Sequence, residues 1–144
     1  MSDVRCNVVA LRQAARRTTQ LYDEALAPTG LRVTQYSILS ELRRRPNATI
    51  SELAEAMVMD RATLGHNLRP LERDGLIRIE VADDRRARIV VLTEQGVARF
   101  QEARPFWARA QRTFETELGS DFAERLRGDL ARVSRADFAA EGQV

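Results

Sequence analysis

Apolar positions recur at steps of three and four from Leu11 through Ala14, Ala15, Thr18, Leu21 and Tyr22 to Ala25, which predicts a long amphipathic helix over about Asp3 to Ala27. Pro28 and Gly30 in "APTG" stop it. A second helix is expected from about Thr34, read as its N-cap, through Ile38, Leu39 and Leu42 to Arg45, where Pro46 blocks continuation. Thr49 stands three residues before Glu52, the capping-box spacing, ahead of Leu53, Ala54 and Met57, so a short third helix follows. Asp60 can cap a fourth helix with a buried stripe of Leu64, Leu68 and Leu71, and Gly75 suits its C-terminal cap. The period then changes. Ile77 to Val81 and Ile89 to Leu92 are β-branched runs separated by Ala82 to Arg88, the pattern of a hairpin with a charged tip. Two helices close the chain. One is capped by Thr93 and carries Phe100, Ala103, Trp107, Ala110 and Phe114; the other starts after Ser120 and carries Phe122, Leu126, Leu130 and Val133.

Two short helices joined by the tight "MVMDR" turn and followed by a two-stranded hairpin make a winged helix-turn-helix. The expected fold class is mainly α with a small β-wing. At 144 residues the chain suits one domain, residues 1–144. Its winged lobe would span about 33–96. The first helix and the last two, about 1–32 and 97–144, are too apolar on one side to stand alone, so they are expected to pack together and against a second copy.

Composition narrows the chemistry. No apolar run approaches the roughly 18 to 20 residues needed to cross a bilayer, and "MSDVRCNVVALRQ" lacks the order of a secretory signal, so a cytoplasmic protein with no membrane partner is expected. One cysteine, Cys6, and one histidine, His66, allow neither an internal disulfide nor a Cys/His zinc site. No metal or cofactor is expected. All 23 basic residues are arginine, whose planar fork of donors suits phosphates and base edges. Their placement is uneven: Arg85 to Arg112 holds seven arginines against Glu94 and Glu102, whereas Thr113 to Val144 is acidic.

Opposite its buried stripe the fourth helix carries Ala62, Thr63, His66, Arg69, Pro70 and Arg73, with Gly65 at the edge and no acid near the centre. An α-helix fits the major groove and its first residues reach base edges. Arg61, Thr63, Gly65, His66 and Arg69 would form the reaching side, with Arg73 further along and Thr49 and Ser51 at the start of the third helix. Thr63 can donate or accept, and Gly65 permits close approach of backbone. Pro70 leaves the carbonyl of His66 without its helical donor, so a kink or a bound water is expected there. At the hairpin tip Arg85, Arg86 and Arg88 would meet phosphates and the electronegative minor groove, with Asp84 orienting the Arg86 guanidinium. Taken singly, each face is also what an ordinary solvated helix or turn shows. A Ser/His/Asp or Cys/His enzyme would have to use His66 on this open face, and no phosphate-cradling glycine loop occurs, so no enzyme is expected.

The stretch "TISELAEAMVMDRATLGHNLRPLERDGLIRIEVADDRRARIVVLTEQG" closely resembles the DNA-binding lobe of the multiple-antibiotic-resistance regulator (MarR) family. The capped "TISELA", the "MDRATL" entry, the "LERDGLI" exit and the "D-R-R" wing with "LT-x-x-G" stand in family order and spacing over about Thr49 to Gly96. The resemblance implies a homodimeric transcriptional regulator, expected to repress, that binds a near-palindromic double-stranded DNA operator and is released by a small, aromatic or phenolic, molecule. It makes Arg86 the minor-groove arginine and Asp84 its partner. It also implies an effector cleft between lobes, for which Leu11, Ala15, Thr18, Tyr22, Tyr36 and Leu39 are the candidates here. Each of the six also has a plain core or interface reading. An alternative switch is oxidation of Cys6, whose thiol a neighbour such as Arg5 would activate. The chain departs from the thiol-sensing pattern: alignment on "TQYSIL" and Tyr22 puts the sensing position near Val8, and an expected tyrosine falls on Arg12. The histidines and acids of zinc-sensing relatives are missing.

Overall fold

The computed structural model describes residues 5–141, which divide by their contacts into one unit up to residue 110 and a second from residue 111. Helix α1 spans Asn7–Leu26 and is followed by a single 3-10 turn, Ala27–Thr29. Asp3 and Val4, where the periodicity placed its first residues, lie outside the described residues. Within them the helix begins at Asn7, with Cys6 extended ahead of it and offering no side-chain cap. At the other end Gly30 takes a left-handed conformation (φ 76°), and the Thr29 hydroxyl donates to the carbonyl of Leu26 at 2.7 Å. Pro28 and Gly30 therefore end α1 as the sequence predicts.

Helix α2 spans Val33–Arg44, and its start corrects the sequence reading. The N-cap is Arg32, not Thr34. The backbone N–H of Val33 donates to Asp23 Oδ1 at 2.7 Å and that of Arg32 to Gln35 Oε1 at 2.9 Å. A carboxylate from α1 thus satisfies the end of α2 and complements its positive pole, leaving Thr34 inside the first turn.

Helix α3, Ile50–Ala56, has the predicted capping box: Glu52 N–H donates to Thr49 Oγ1 and Thr49 N–H to Glu52 Oε2, both at 3.1 Å. Helix α4, Arg61–Arg73, runs through Pro70 without ending. It closes in a Schellman motif, with Gly75 (φ 75°) donating to Glu72 and Leu76 to Leu71. The turn between α3 and α4 repeats that motif with a different residue. Val58 N–H donates to Glu55 and Met59 N–H to Ala54, which leaves Val58 in the left-handed position at φ 52°. A β-branched residue there is strained, at a cost of roughly 1–2 kcal/mol. Its side chain is 73% exposed, so packing returns nothing. Val58→Gly is expected to raise stability by about 1 kcal/mol after the extra chain entropy of glycine is subtracted. Urea unfolding checks this, and a loss of stability refutes it.

Strands β1 (Ile77–Val81) and β2 (Arg88–Leu92) pair antiparallel from Ile77↔Leu92 to Val81↔Arg88. The expected hairpin is extended on one side: Thr49 bridges Ile89, and Val90 N–H donates to Ala48 at 2.9 Å. That third segment supports a two-stranded ribbon that alone would be marginal. Helix α5 spans Glu94–Leu118 and begins on a knot at the base of the wing. The Thr93 hydroxyl donates to the carbonyl of Gly75 at 2.6 Å and accepts Gly96 N–H at 3.0 Å, while Thr93 N–H donates to Leu76 at 3.1 Å. The core beneath comprises Leu26, Ile38, Leu39, Leu42, Leu53, Leu64, Leu68, Leu71, Leu76, Ile77 and Val90. Arg99 on α5 donates to the carbonyl of Thr29 at 3.1 Å.

The second unit holds the end of α5 and helix α6, Ser120–Arg135. Arg127 and Glu115 pair within it at 3.3 Å. Ala123 is buried, whereas Phe122, Leu130 and Val133 of the predicted apolar stripe are exposed. Among the described residues no helix is long and apolar enough to cross a membrane.

Candidate nucleic-acid interface

The first turn of α4 is built by its own cap. Asp60 Oδ1 accepts the backbone N–H of Thr63 at 2.7 Å and Asp60 Oδ2 accepts the Thr63 hydroxyl at 3.0 Å. These bonds hold the Asp60 carboxyl below the usual carboxylate range. Arg61 turns back toward α3, where its Nη2 donates to Ser51 Oγ. Ser51 is exposed, while Thr49 is half-buried and engaged as the cap of α3. Further along α4, His66, Arg69 and Arg73 are exposed, and Arg73 pairs with Asp74 at 3.3 Å. A Cβ built on Gly65 would meet nothing within 4 Å, so the fold does not require that glycine. The space in front of it is open to a close approach.

The wing tip is held by its backbone. Ala82 N–H donates to Ala87 at 2.9 Å, Arg85 N–H donates to Ala82 at 2.8 Å, and Arg85 lies in the left-handed region at φ 59°. Asp84 differs from expectation in its partner: its Oδ1 accepts the backbone N–H of Arg86 at 3.0 Å, not the guanidinium. This is an Asx turn, in which the carboxylate shapes the loop and so aims residue 86 indirectly. Arg85 and Arg86 are exposed at the tip, and Arg88 is exposed at the first position of β2, opposite Val81.

The six effector-cleft candidates do not come together. Leu39 is fully buried in the core. Leu11 is exposed, Thr18 and Tyr22 are half-buried, and Ala15 lines an open groove along α1 with Arg12, Arg16 and Asp23. Only Tyr36 lines the cleft of about 630 Å³ between α2 and α5, whose walls include Ser40, Arg43, Phe100, Arg104 and Trp107. Tyr36 stacks on Phe100 at 4.9 Å and on Trp107 at 5.8 Å, and the Arg43 guanidinium lies 4.9 Å over Phe100. Burial pushes the Tyr36 phenol above its ordinary pKa against the opposing pull of Arg104 and Arg43. The sequence reading missed the two arginines and used Phe100 and Trp107 only as core. The signal was there in the spacing: residues 36, 40 and 43, and residues 100, 104 and 107, each share a helix face. Cys6 is exposed just ahead of α1.

Residues 31–87 match the model of the MarR family. Among curated proteins, the uncharacterized HTH-type transcriptional regulator YwoH of Bacillus subtilis is 28% identical over 125 residues, 87% of this chain and 88% of that protein. The transcriptional regulator MosR of M. tuberculosis, solved in complex with DNA, is 36% identical, with a TM-score of 0.86 over 95% of this chain and 99% of that one. The transcriptional repressor CouR, bound to a 23-mer DNA duplex, is 28% identical, with a TM-score of 0.81 over 90% and 93% of the two chains. CouR from Rhodococcus jostii RHA1 has also been solved with p-coumaroyl-CoA.

Proposed function

The chain belongs to the MarR family of DNA-binding transcriptional regulators, and from that premise we propose that it acts as a cytoplasmic homodimeric repressor of a near-palindromic operator, released by a small anionic aromatic molecule. The observation that carries the DNA reading is the joint presentation of an α4 face with no acid near its centre, with Arg61, His66 and Arg69, and a wing tip with Arg85 and Arg86. An α4 in the major groove and a wing in the adjacent minor groove use both surfaces. Support for the dimer comes from apolar side chains exposed in one copy: Val8, Val9 and Leu11 on α1, and Phe122, Leu130 and Val133 on α6. The helical flanks, about 1–32 and 97–144, then form the dimer lobe, and about 33–96 the DNA lobe. Support for the effector comes from the α2–α5 cleft, where a stacked aromatic floor lies beside Arg43 and Arg104. An aromatic ring with a carboxylate tail suits that pairing.

The test is fluorescence anisotropy with duplexes from the region upstream of the chain's own gene. Binding should weaken with salt by roughly 0.9 log units per phosphate neutralised for each tenfold rise in salt. Arg86→Ala should weaken it by about 1–3 kcal/mol, the scale of a single base contact. Unchanged affinity removes the wing assignment, and binding insensitive to salt removes the DNA reading.

A further inference from the structure

Hydrogens on hydroxyl groups have a direction, and in the first turn of α4 that direction is set. Asp60 is acceptor-only as a carboxylate, with Oδ1 on the Thr63 N–H at 2.7 Å and Oδ2 on Thr63 Oγ1 at 3.0 Å. The second contact is a hydrogen bond only if the Thr63 hydroxyl gives its hydrogen to Asp60. What the exposed Oγ1 then offers outward is lone pairs alone. One turn further, Asn67 Nδ2 donates to the carbonyl of Thr63 at 2.9 Å and keeps its second hydrogen and its Oδ1 free to donate and accept. Thr63 Oγ1 is therefore an acceptor-only point on a face whose neighbours, Arg61, Asn67 and Arg69, can donate.

The major-groove edges of the four bases differ in this property. Adenine N6 and cytosine N4 donate, whereas thymine O4 and guanine O6 and N7 accept. Resting on the DNA-binding reading above, we infer that Thr63, locked by Asp60, is a specificity-determining acceptor that selects a base amino group, adenine or cytosine, at one position of each half-site. A hydroxyl that could rotate would tolerate either class. The Asp60 lock turns a permissive residue into a discriminating one, since the wrong base would set acceptor against acceptor.

Two substitutions separate this from a merely structural cap. Thr63→Val keeps the shape and removes the hydroxyl. Asp60→Asn keeps an equally good N-cap. Its amide oxygen can hold the Thr63 N–H while its amide nitrogen donates to Thr63 Oγ1, which frees the hydroxyl hydrogen to point outward. The experiment selects bound duplexes from a random library with the full chain and sequences them for wild type and both variants, after circular dichroism confirms equal helix content. The wild type should enrich a motif with adenine or cytosine fixed at one position per half-site, by about 5- to 150-fold over the alternatives. Thr63→Val should flatten that position alone. Asp60→Asn should relax it, admitting guanine or thymine beside adenine or cytosine. A motif unchanged by Thr63→Val, or an adenine or cytosine preference retained in Asp60→Asn, overturns the inference. A wild type that enriches no motif overturns instead the reading of the chain as a sequence-specific regulator.

Discussion

Gly96→Ala is expected to destabilise the chain by about 3 kcal/mol, the upper part of the range for forcing an extra methyl into a packed site. Elsewhere in a helix the same change stabilises, by roughly 0.5–1 kcal/mol, because alanine loses less backbone entropy. The sign reverses here because of what the methyl would meet. A Cβ at Gly96 would lie 2.1 Å from the carbonyl oxygen of Leu76 and 2.6 Å from Leu92 Cδ1. The leucine side chain can rotate away, but the carbonyl cannot: Leu76 donates to Leu71 in the closing motif of α4 and accepts from Thr93. Relief requires α5 to lift from the base of the wing, which breaks the bonds of Thr93 to Gly75 and Leu76. Urea unfolding at fixed protein concentration measures the effect. Gly128→Ala on α6, where a Cβ meets nothing within 4 Å, supplies the contrast and should be neutral or stabilising. A Gly96→Ala protein as stable as the wild type would refute the close approach.

The caps of this protein show what a sequence can and cannot announce. Thr49 with Glu52, Asp60 with Thr63, and Thr93 with Gly96 are each three residues apart, so donor and acceptor are legible as a spacing. The cap of α2 has its carboxylate ten residues upstream on another helix, at Asp23, and nothing local distinguishes that aspartate from its neighbours. Thr34 carried the residue type of a cap and stood near the right place, and tertiary structure gave the task to another group. Asp84 was ambiguous for a different reason. Residue 86 offers it both a backbone N–H and a guanidinium two residues away, and the spacing alone does not choose between them. The turn geometry chooses the backbone. The order of elements, by contrast, follows from periodicity and breakers that act within a few residues, which is why helix, hairpin and wing were all readable.

The α2–α5 cleft was harder, because its walls come from residues of two helices more than fifty positions apart. Within α2 the helical period sorts the residues cleanly once the partner is known: Tyr36, Ser40 and Arg43 face the cleft, and Ile38, Leu39 and Leu42 face the core. Before that, Tyr36 and Leu39 are equally plausible pocket residues, three apart on neighbouring faces.

Leu39→Ala is expected to separate those two roles, with a loss of about 2–5 kcal/mol. Leu39 has no exposed surface and sits in the cluster formed by α2, α4 and the wing. Truncation removes the transfer free energy of the lost atoms and leaves a cavity that the surrounding leucines can fill only in part. The loss should appear as a lower urea midpoint with little change in slope, since the folded and unfolded surfaces change little. It should reach the full 2 kcal/mol or more because Leu64, Leu68 and Leu71 are themselves fully buried and fixed on α4. Were Leu39 a wall of the effector cleft, the site would already be open to water and the same truncation would cost little. A loss under about 1 kcal/mol with an unchanged slope would therefore remove Leu39 from the core and return it to the cleft beside Tyr36.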